Sequence, residues 1–213
     1  MTRVSDRSVT LFDEAAASWD KPIRVELARA VATAILDRIP FDRKQTAMEF
    51  GCGTGLVTAL LAPHLQSVVA TDTSAGMLRE LESKIQAIKL TNITTRKIDL
   101  TRDPLPEERF QLIFSSMTLH HIENIGNLLR IFHTLLEPGG HIALADLERE
   151  DGTFHSDHTG VVHLGMESGE LLAWGKEAGF IDLTVKTAHV IRKEGNDGKE
   201  HEYPVLLLCG KKR

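Results

Sequence analysis

Glu49-Phe50-Gly51-Cys52-Gly53-Thr54-Gly55 joins a strand-like run, Thr46-Ala47-Met48-Glu49-Phe50, to a helical run over residues 56–65. Glycines at such a junction let the backbone turn sharply and let a ligand approach main-chain atoms closely. The spacing excludes two familiar loops. A dinucleotide fingerprint, Gly-x-Gly-x-x-Gly, needs its third glycine at position 56, which is Leu56. A phosphate-binding loop needs a terminal Gly-Lys-Ser/Thr, and none is present. The loop therefore suits a nucleoside-type ligand better than a pyrophosphate.

Downstream, Ser67-Val68-Val69-Ala70-Thr71-Asp72 reads as the next strand, and Asp72 closes it 21 residues beyond Gly51. Ligands of open α/β sheets bind at the carboxyl ends of the strands. A carboxylate there can accept hydrogen bonds from both hydroxyls of a ribose; the plainer alternative is a helix-capping aspartate in a tight turn. A helix follows over residues 74–88, then strands at 93–99, 110–116 and 140–146. A helix at 124–136 separates the last two and closes at Glu137-Pro138-Gly139-Gly140. Strands alternating with helices of this length predict βαβ units and a mostly parallel sheet, and the nearly all-apolar strands predict a sheet covered on both faces.

The two ends of the chain differ from this middle. A helix at 171–178 is stopped by Gly179, and strands at 181–192 and 203–208 flank the turn-rich segment Glu194-Gly195-Asn196-Asp197-Gly198. With no room for a crossover helix, these strands form an antiparallel hairpin. Towards the N-terminus, Val9, Phe12, Ala16 and Trp19 recur at helical spacing. Pro22 opens a second helix with Asp20 as its cap, and that helix ends before Pro40. The expectation is one domain over residues 1–213, with 1–40 a helical cover and 41–213 an α/β core.

The chain has 213 residues, 42% hydrophobic and 26% charged, so it can bury a core and is not disordered. A net charge of -5 argues against a dedicated nucleic-acid binder. Cys52 and Cys209, the two cysteines, fit free thiols in a reducing compartment. The polar start, residues 1–7, has no apolar targeting core, and Val205-Leu206-Leu207-Leu208-Cys209 is strand-sized rather than membrane-spanning. A cytoplasmic location without membrane contact is expected.

With these residues in place, the sequence resembles the class I S-adenosylmethionine-dependent methyltransferases of small-molecule type, from about residue 12 to 210. The resemblance rests on Phe12-Asp13-Glu14-Ala15-Ala16-Ala17-Ser18-Trp19-Asp20, the 49–55 loop, Asp72, Ile98-Asp99-Leu100, Leu119-His120-His121-Ile122 and Leu136-Glu137-Pro138-Gly139-Gly140. It implies a Rossmann-like, seven-stranded sheet with an antiparallel last strand, and S-adenosyl-L-methionine as cofactor. By the same resemblance, Gly51, Cys52, Gly53, Thr54 and Gly55 would line the cofactor's sugar and methionine portion, with Glu49 supporting the loop. Asp72 would hold the ribose hydroxyls, with Thr73 beside it. Met77 and Leu100 would lie against the adenine, although ordinary core packing explains both equally well. Asp99 would accept from the adenine amino group, Ser115 would begin the loop at the methionine end, and Trp19 would close over the cofactor as a lid or serve as a packing layer.

The methyl acceptor is less legible. Members that methylate exocyclic amines of bases or amide nitrogens often carry Asn/Asp-Pro-Pro-Tyr/Phe after strand four; here that place holds Ser115-Ser116-Met117-Thr118. A small-molecule acceptor, methylated on O, N, S or C, is the remaining expectation. His120 is the candidate base, because an acceptor that must lose a proton needs a group of suitable pKa; capping or packing of the following helix is the alternative. His121, His155, His158 and His163 are candidate acceptor-binding residues. No metal is expected of the 151–166 segment, which lacks a Cys pair or His-x-x-x-His spacing. Two other readings stay open: an NAD(P)-dependent oxidoreductase, disfavoured by Leu56 and the terminal hairpin, and a non-catalytic protein that binds S-adenosylmethionine.

Overall fold

Seven strands form one sheet in the order β3-β2-β1-β4-β5-β7-β6 in the computed structural model, which describes residues 6–213. Residues 1–5, part of the polar start, lie outside the described residues. The chain runs α1 (Asp6–Ala15), a 3₁₀ turn, α2 (Pro22–Leu36), β1 (Thr46–Phe50), α3 (Leu56–Leu61), β2 (Ser67–Asp72), α4 (Ala75–Ile88) and β3 (Ile93–Lys97). It continues with β4 (Phe110–Ser116), α5 (Ile125–Leu135), β5 (Leu136–Leu147), α6 (Ser168–Glu177), β6 (Ile181–Glu194) and β7 (Glu200–Lys211). The pairs from β3 through β5 are parallel, whereas β7 runs antiparallel to both β5 and β6. The expected Rossmann-like sheet with a C-terminal antiparallel hairpin is the observed one.

Strand alternation explains the two layers. Leu112, Phe114, Ala143, Val205 and Leu207 face α2 and α3, where Val31, Ile35, Val57 and Leu61 meet them. Their neighbours Ile113, Ile142, Leu144, Leu206 and Leu208 point the other way, onto Leu128, Phe132 and Leu171 of α5 and α6. Both faces are covered, so the strands read as continuous apolar runs. No described helix is long and apolar enough to cross a membrane.

Several boundaries differ from the sequence expectation. Lys21, not Asp20, precedes α2 as its cap residue, and it makes no side-chain capping bond. The helix expected to run to Leu65 is α-helical only to Leu61; it tightens into a 3₁₀ turn over Ala62–His64, where Pro63 removes a backbone donor. β3 stops at Lys97, so Asp99 lies beyond the strand, in a turn where its Oδ1 accepts from the Thr101 amide at 2.9 Å. β5 starts at Leu136 instead of Gly140, with its register against β4 shifted between Phe110 and Leu112. α6 starts at Ser168, ahead of the expected Leu171, behind a capping box made by Glu167 and Glu170.

Candidate active site

The glycine loop turns through left-handed backbone, with φ of +66° at Gly51, +53° at Gly53 and +75° at Gly55. A Cβ on Gly51 would lie 2.4 Å from Thr118, so the loop approaches the segment after β4 as closely as a glycine allows. Asp72 ends β2 beside it. Its Oδ2 accepts from the Gly53 amide and its Oδ1 from the Ser74 amide, both at 2.8 Å. Burial raises the pKa of this carboxyl above the ordinary aspartate value, and the Ser74 and Gly53 amides oppose that rise. Each oxygen keeps a lone pair for a further donor.

Glu49 sits beneath the loop, only 2% exposed, and accepts a hydrogen bond from Thr58 Oγ1. Burial pushes its pKa up to about 8. The folded chain therefore holds a proton on Glu49 that an unfolded chain, with an ordinary value near 4.5, gives up. That stabilisation is complete below pH 4.5 and is lost as pH rises through 8. Glu49→Gln mimics the neutral acid. Denaturant titrations should show it gaining on the parent chain by roughly 4 kcal/mol between pH 5 and 8.5. Parallel pH profiles would show that Glu49 ionises normally.

The N-terminal segment is fastened over this floor. Asp13 of α1 accepts from Ser74 Oγ and from the Gly76 amide, both at 2.6 Å, and these bonds hold its pKa low. Asp20 accepts from Thr54 Oγ1 at 2.5 Å and pairs with Lys84 at 2.8 Å. Trp19 meets Phe12 edge-on with ring centres 5.6 Å apart, and Phe12 in turn meets His121 at 5.4 Å. The result is a cavity of about 600 Å³ between the carboxyl ends of the strands and the N-terminal helices. A second cavity, about 380 Å³, lies at the other end of the sheet beside His141 and Lys211, away from these loops.

The part of the large cavity that follows β4 is built on a strained turn. Met117, immediately after β4, has φ of +56°, unusual for a non-glycine residue, and it redirects the chain into the turn Leu119–His121. His120 is 2% exposed and lines the cavity, and its Nδ1 lies 2.7 Å from Oδ1 of Asp146, itself 1% exposed. Asp146 also accepts from the amides of Leu147, at 2.7 Å, and His120, at 3.3 Å. Burial alone would raise the pKa of Asp146, but the His120 imidazole and these bonds overcome it and hold the value below the ordinary one. An ionised carboxylate at Nδ1 fixes the proton there and leaves the opposite ring nitrogen as the basic one. The His121 and His155 rings lie 4.0 and 5.1 Å from that of His120. Burial, reinforced by His120, drops their pKa values to about 4 and about 3, so both are neutral at physiological pH.

Trp19, Glu49, Gly51, Cys52, Gly53, Thr54, Asp72, Thr73, Met77, Asp99, His120, His121 and His155 all line the one cavity. Five expected residues do not. Leu100 is buried among Met48, Phe50 and Phe110, on the core side of its turn. Ser115 is turned inward, donating to the Phe50 carbonyl at 2.7 Å and so tying β4 to β1. Gly55 packs its backbone against Leu81. His158 is exposed, and His163 is occupied with the Ile122 carbonyl at 2.9 Å. Among the described residues no three metal-ligand side chains converge. The sequence reading missed Asp146 as the partner of His120, and it missed Arg24 and Lys193, which also line the cavity.

Residues 48–144 match the family model described as a methyltransferase domain. The chain is 28% identical over 148 residues to a malonyl-[acyl-carrier protein] O-methyltransferase of Pseudescherichia vulneris, covering 69% of this chain and 56% of that one. It spans roughly half the length of several of the curated relatives it matches. Among solved structures, YcgJ of Bacillus subtilis superposes with a TM-score of 0.68 at 13% identity, over 87% of this chain and 99% of that one. Phosphoethanolamine N-methyltransferase 2 of Haemonchus contortus, solved with phosphomonomethylethanolamine and S-adenosylhomocysteine, superposes with a TM-score of 0.69 at 18% identity, over 85% of this chain and 52% of that one. With the sheet order, the glycine loop and the acid after β2, these matches give residues 48–144 the character of a methyltransferase domain and support the class I S-adenosylmethionine-dependent methyltransferase family for the chain.

Proposed function

We propose that the protein binds S-adenosyl-L-methionine and transfers its methyl group to a small-molecule acceptor. The observation that carries this is Asp72: a half-buried carboxylate fixed by two loop amides, with a lone pair to spare on each oxygen, at the carboxyl end of β2 and on the wall of a cavity that continues to His120. A ribose with two free hydroxyls matches that acceptor pair. The Gly51–Thr54 backbone would follow the sugar and methionine portion, and Cys52, a buried thiol whose pKa burial raises far above the ordinary value, adds no charge there. Met77 and Asp99 lie on the cavity wall on the Asp72 side, where the adenine would sit.

The cofactor, when bound, supplies a methyl group already activated on a sulfonium. The protein's share is alignment and proton removal. His120, oriented from behind by Asp146, accepts the proton that an O–H, N–H, S–H or C–H acceptor gives up. His121 and His155, held neutral, position the acceptor by hydrogen bonding without adding charge. The net charge of -5 favours such an acceptor over RNA or DNA. Incubating the protein with methyl-labelled S-adenosylmethionine and a size-filtered metabolite extract tests the proposal. Label should appear in a small product, and its retention on the cofactor across fractionated extracts would refute the transfer.

A further inference from the structure

Two cations on the cavity wall have no part in the transfer described above. Arg24 lies in the first turn of α2, and Lys193 lies near the end of β6. The Arg24 guanidinium stacks 3.8 Å from the centre of the Trp19 ring and donates to the Trp19 carbonyl at 2.9 Å. The Lys193 ammonium lies 3.8 Å from the centre of the Phe154 ring and donates to the Phe154 carbonyl. These contacts hold the cations in place without neutralising them. Among the described residues, neither has a carboxylate within 4 Å. Asp20 and Glu150 act on them only from farther away: Asp20 is committed to Thr54 and Lys84, and Oε2 of Glu150 to the Gly152 and Phe154 amides, while Oε1 of Glu150 is buried without a hydrogen-bond partner and offsets part of the Lys193 charge.

The arrangement is costly. The first turn of α2 is the positive end of the helix and carries no acidic residue, so a cation there is disfavoured. Both groups are partly stripped of water, which lowers both pKa values, and Arg24 lowers that of Lys193 further. An oxyanion placed between them would relieve all three costs at once. From Lys193, a run of contacting rings leads through Phe154 and His155 to His120, with ring centres 4.7 and then 5.1 Å apart.

We propose that Arg24 and Lys193 form an oxyanion subsite that anchors a carboxylate or phosphate group of the methyl acceptor. The inference rests on the methyl transfer proposed above. Lys193 and Phe154 belong to the segments after β5, and Phe154 meets the His155 ring, which favours the acceptor over the carboxylate of the cofactor.

The test uses the full chain saturated with S-adenosylhomocysteine, titrated with benzoate, phenyl phosphate and the neutral benzamide and followed by NMR shifts. At least one oxyanion should bind, with benzamide weaker by about tenfold or more. Lys193→Met and Arg24→Met should each weaken the oxyanion about tenfold, whereas Lys193→Arg should retain it, with melting curves confirming that every variant is folded. Equal binding of benzamide, or oxyanion affinity unchanged in both Met variants, overturns the subsite. So does the result that these variants weaken S-adenosylhomocysteine but not methylthioadenosine, which lacks the carboxylate; the cations then serve the cofactor. Failure of S-adenosylhomocysteine to bind at all overturns the methyl transfer itself, and the subsite with it.

Discussion

Replacing His120 with glutamine should lower methyl transfer by about 10²–10⁴-fold and leave S-adenosylhomocysteine affinity near that of the parent chain. The split follows from the geometry. His120 stands on the turn after β4, apart from the glycine loop and Asp72, so on the proposed mechanism its loss would remove proton acceptance and spare the cofactor contacts. Asp146→Asn acts through His120 and touches no ligand itself. An amide in place of the carboxylate at Nδ1 no longer stabilises the protonated imidazole, so this variant should also lose rate, by about tenfold or more, with cofactor affinity intact. Truncation to alanine is a poor substitute for these variants: it leaves a buried His120 or Asp146 without its partner and costs several kcal/mol of stability. Labelled transfer and cofactor calorimetry on the same preparations separate the two roles. Equal loss of both readouts would assign the pair to structure alone.

The second large effect is at Asp72. Asp72→Ala should weaken S-adenosylhomocysteine by about 3 kcal/mol, near a hundredfold, because charge-assisted bonds to the two ribose hydroxyls are lost. Part of the loss comes through the loop, since the Gly53 and Ser74 amides lose their acceptor as well. Asp72→Asn keeps the shape and should fall between the two. Calorimetry on all three chains gives the order, and an unchanged affinity in Asp72→Ala would remove this residue from the site.

The glycine loop and Asp72 were legible because their chemistry is local: glycines at a strand–helix junction and an acid at a strand end fall in fixed order along the chain. The parallel sheet was legible for a similar reason, since apolar strands and amphipathic helices alternate with short connections. Asp146 carries the same signal as Asp72, an acid at the carboxyl end of a parallel strand. Its meaning depends on His120, 26 residues away, so it emerges only when β4 and β5 lie side by side. Arg24 and Lys193 are separated by most of the chain, and only the packing of α2 against β6 places both on one wall. The side chains of Ser115 and Leu100 show the converse case. They occupy loop-side positions in sequence, but strand alternation at Ser115 and a tight turn at Leu100 point both side chains inward. His158 and His163 shared a His-rich segment with His155, and the local backbone selects only His155 for the cavity.

Calorimetric titration of the purified chain with S-adenosylhomocysteine, with NADH as the control, bears most directly on the cofactor assignment. One site per chain for S-adenosylhomocysteine, abolished or strongly weakened in Asp72→Ala and without heat from NADH, is the predicted result. No binding of S-adenosylhomocysteine at millimolar concentration by the folded protein, or saturable binding of NADH in its place, would contradict it.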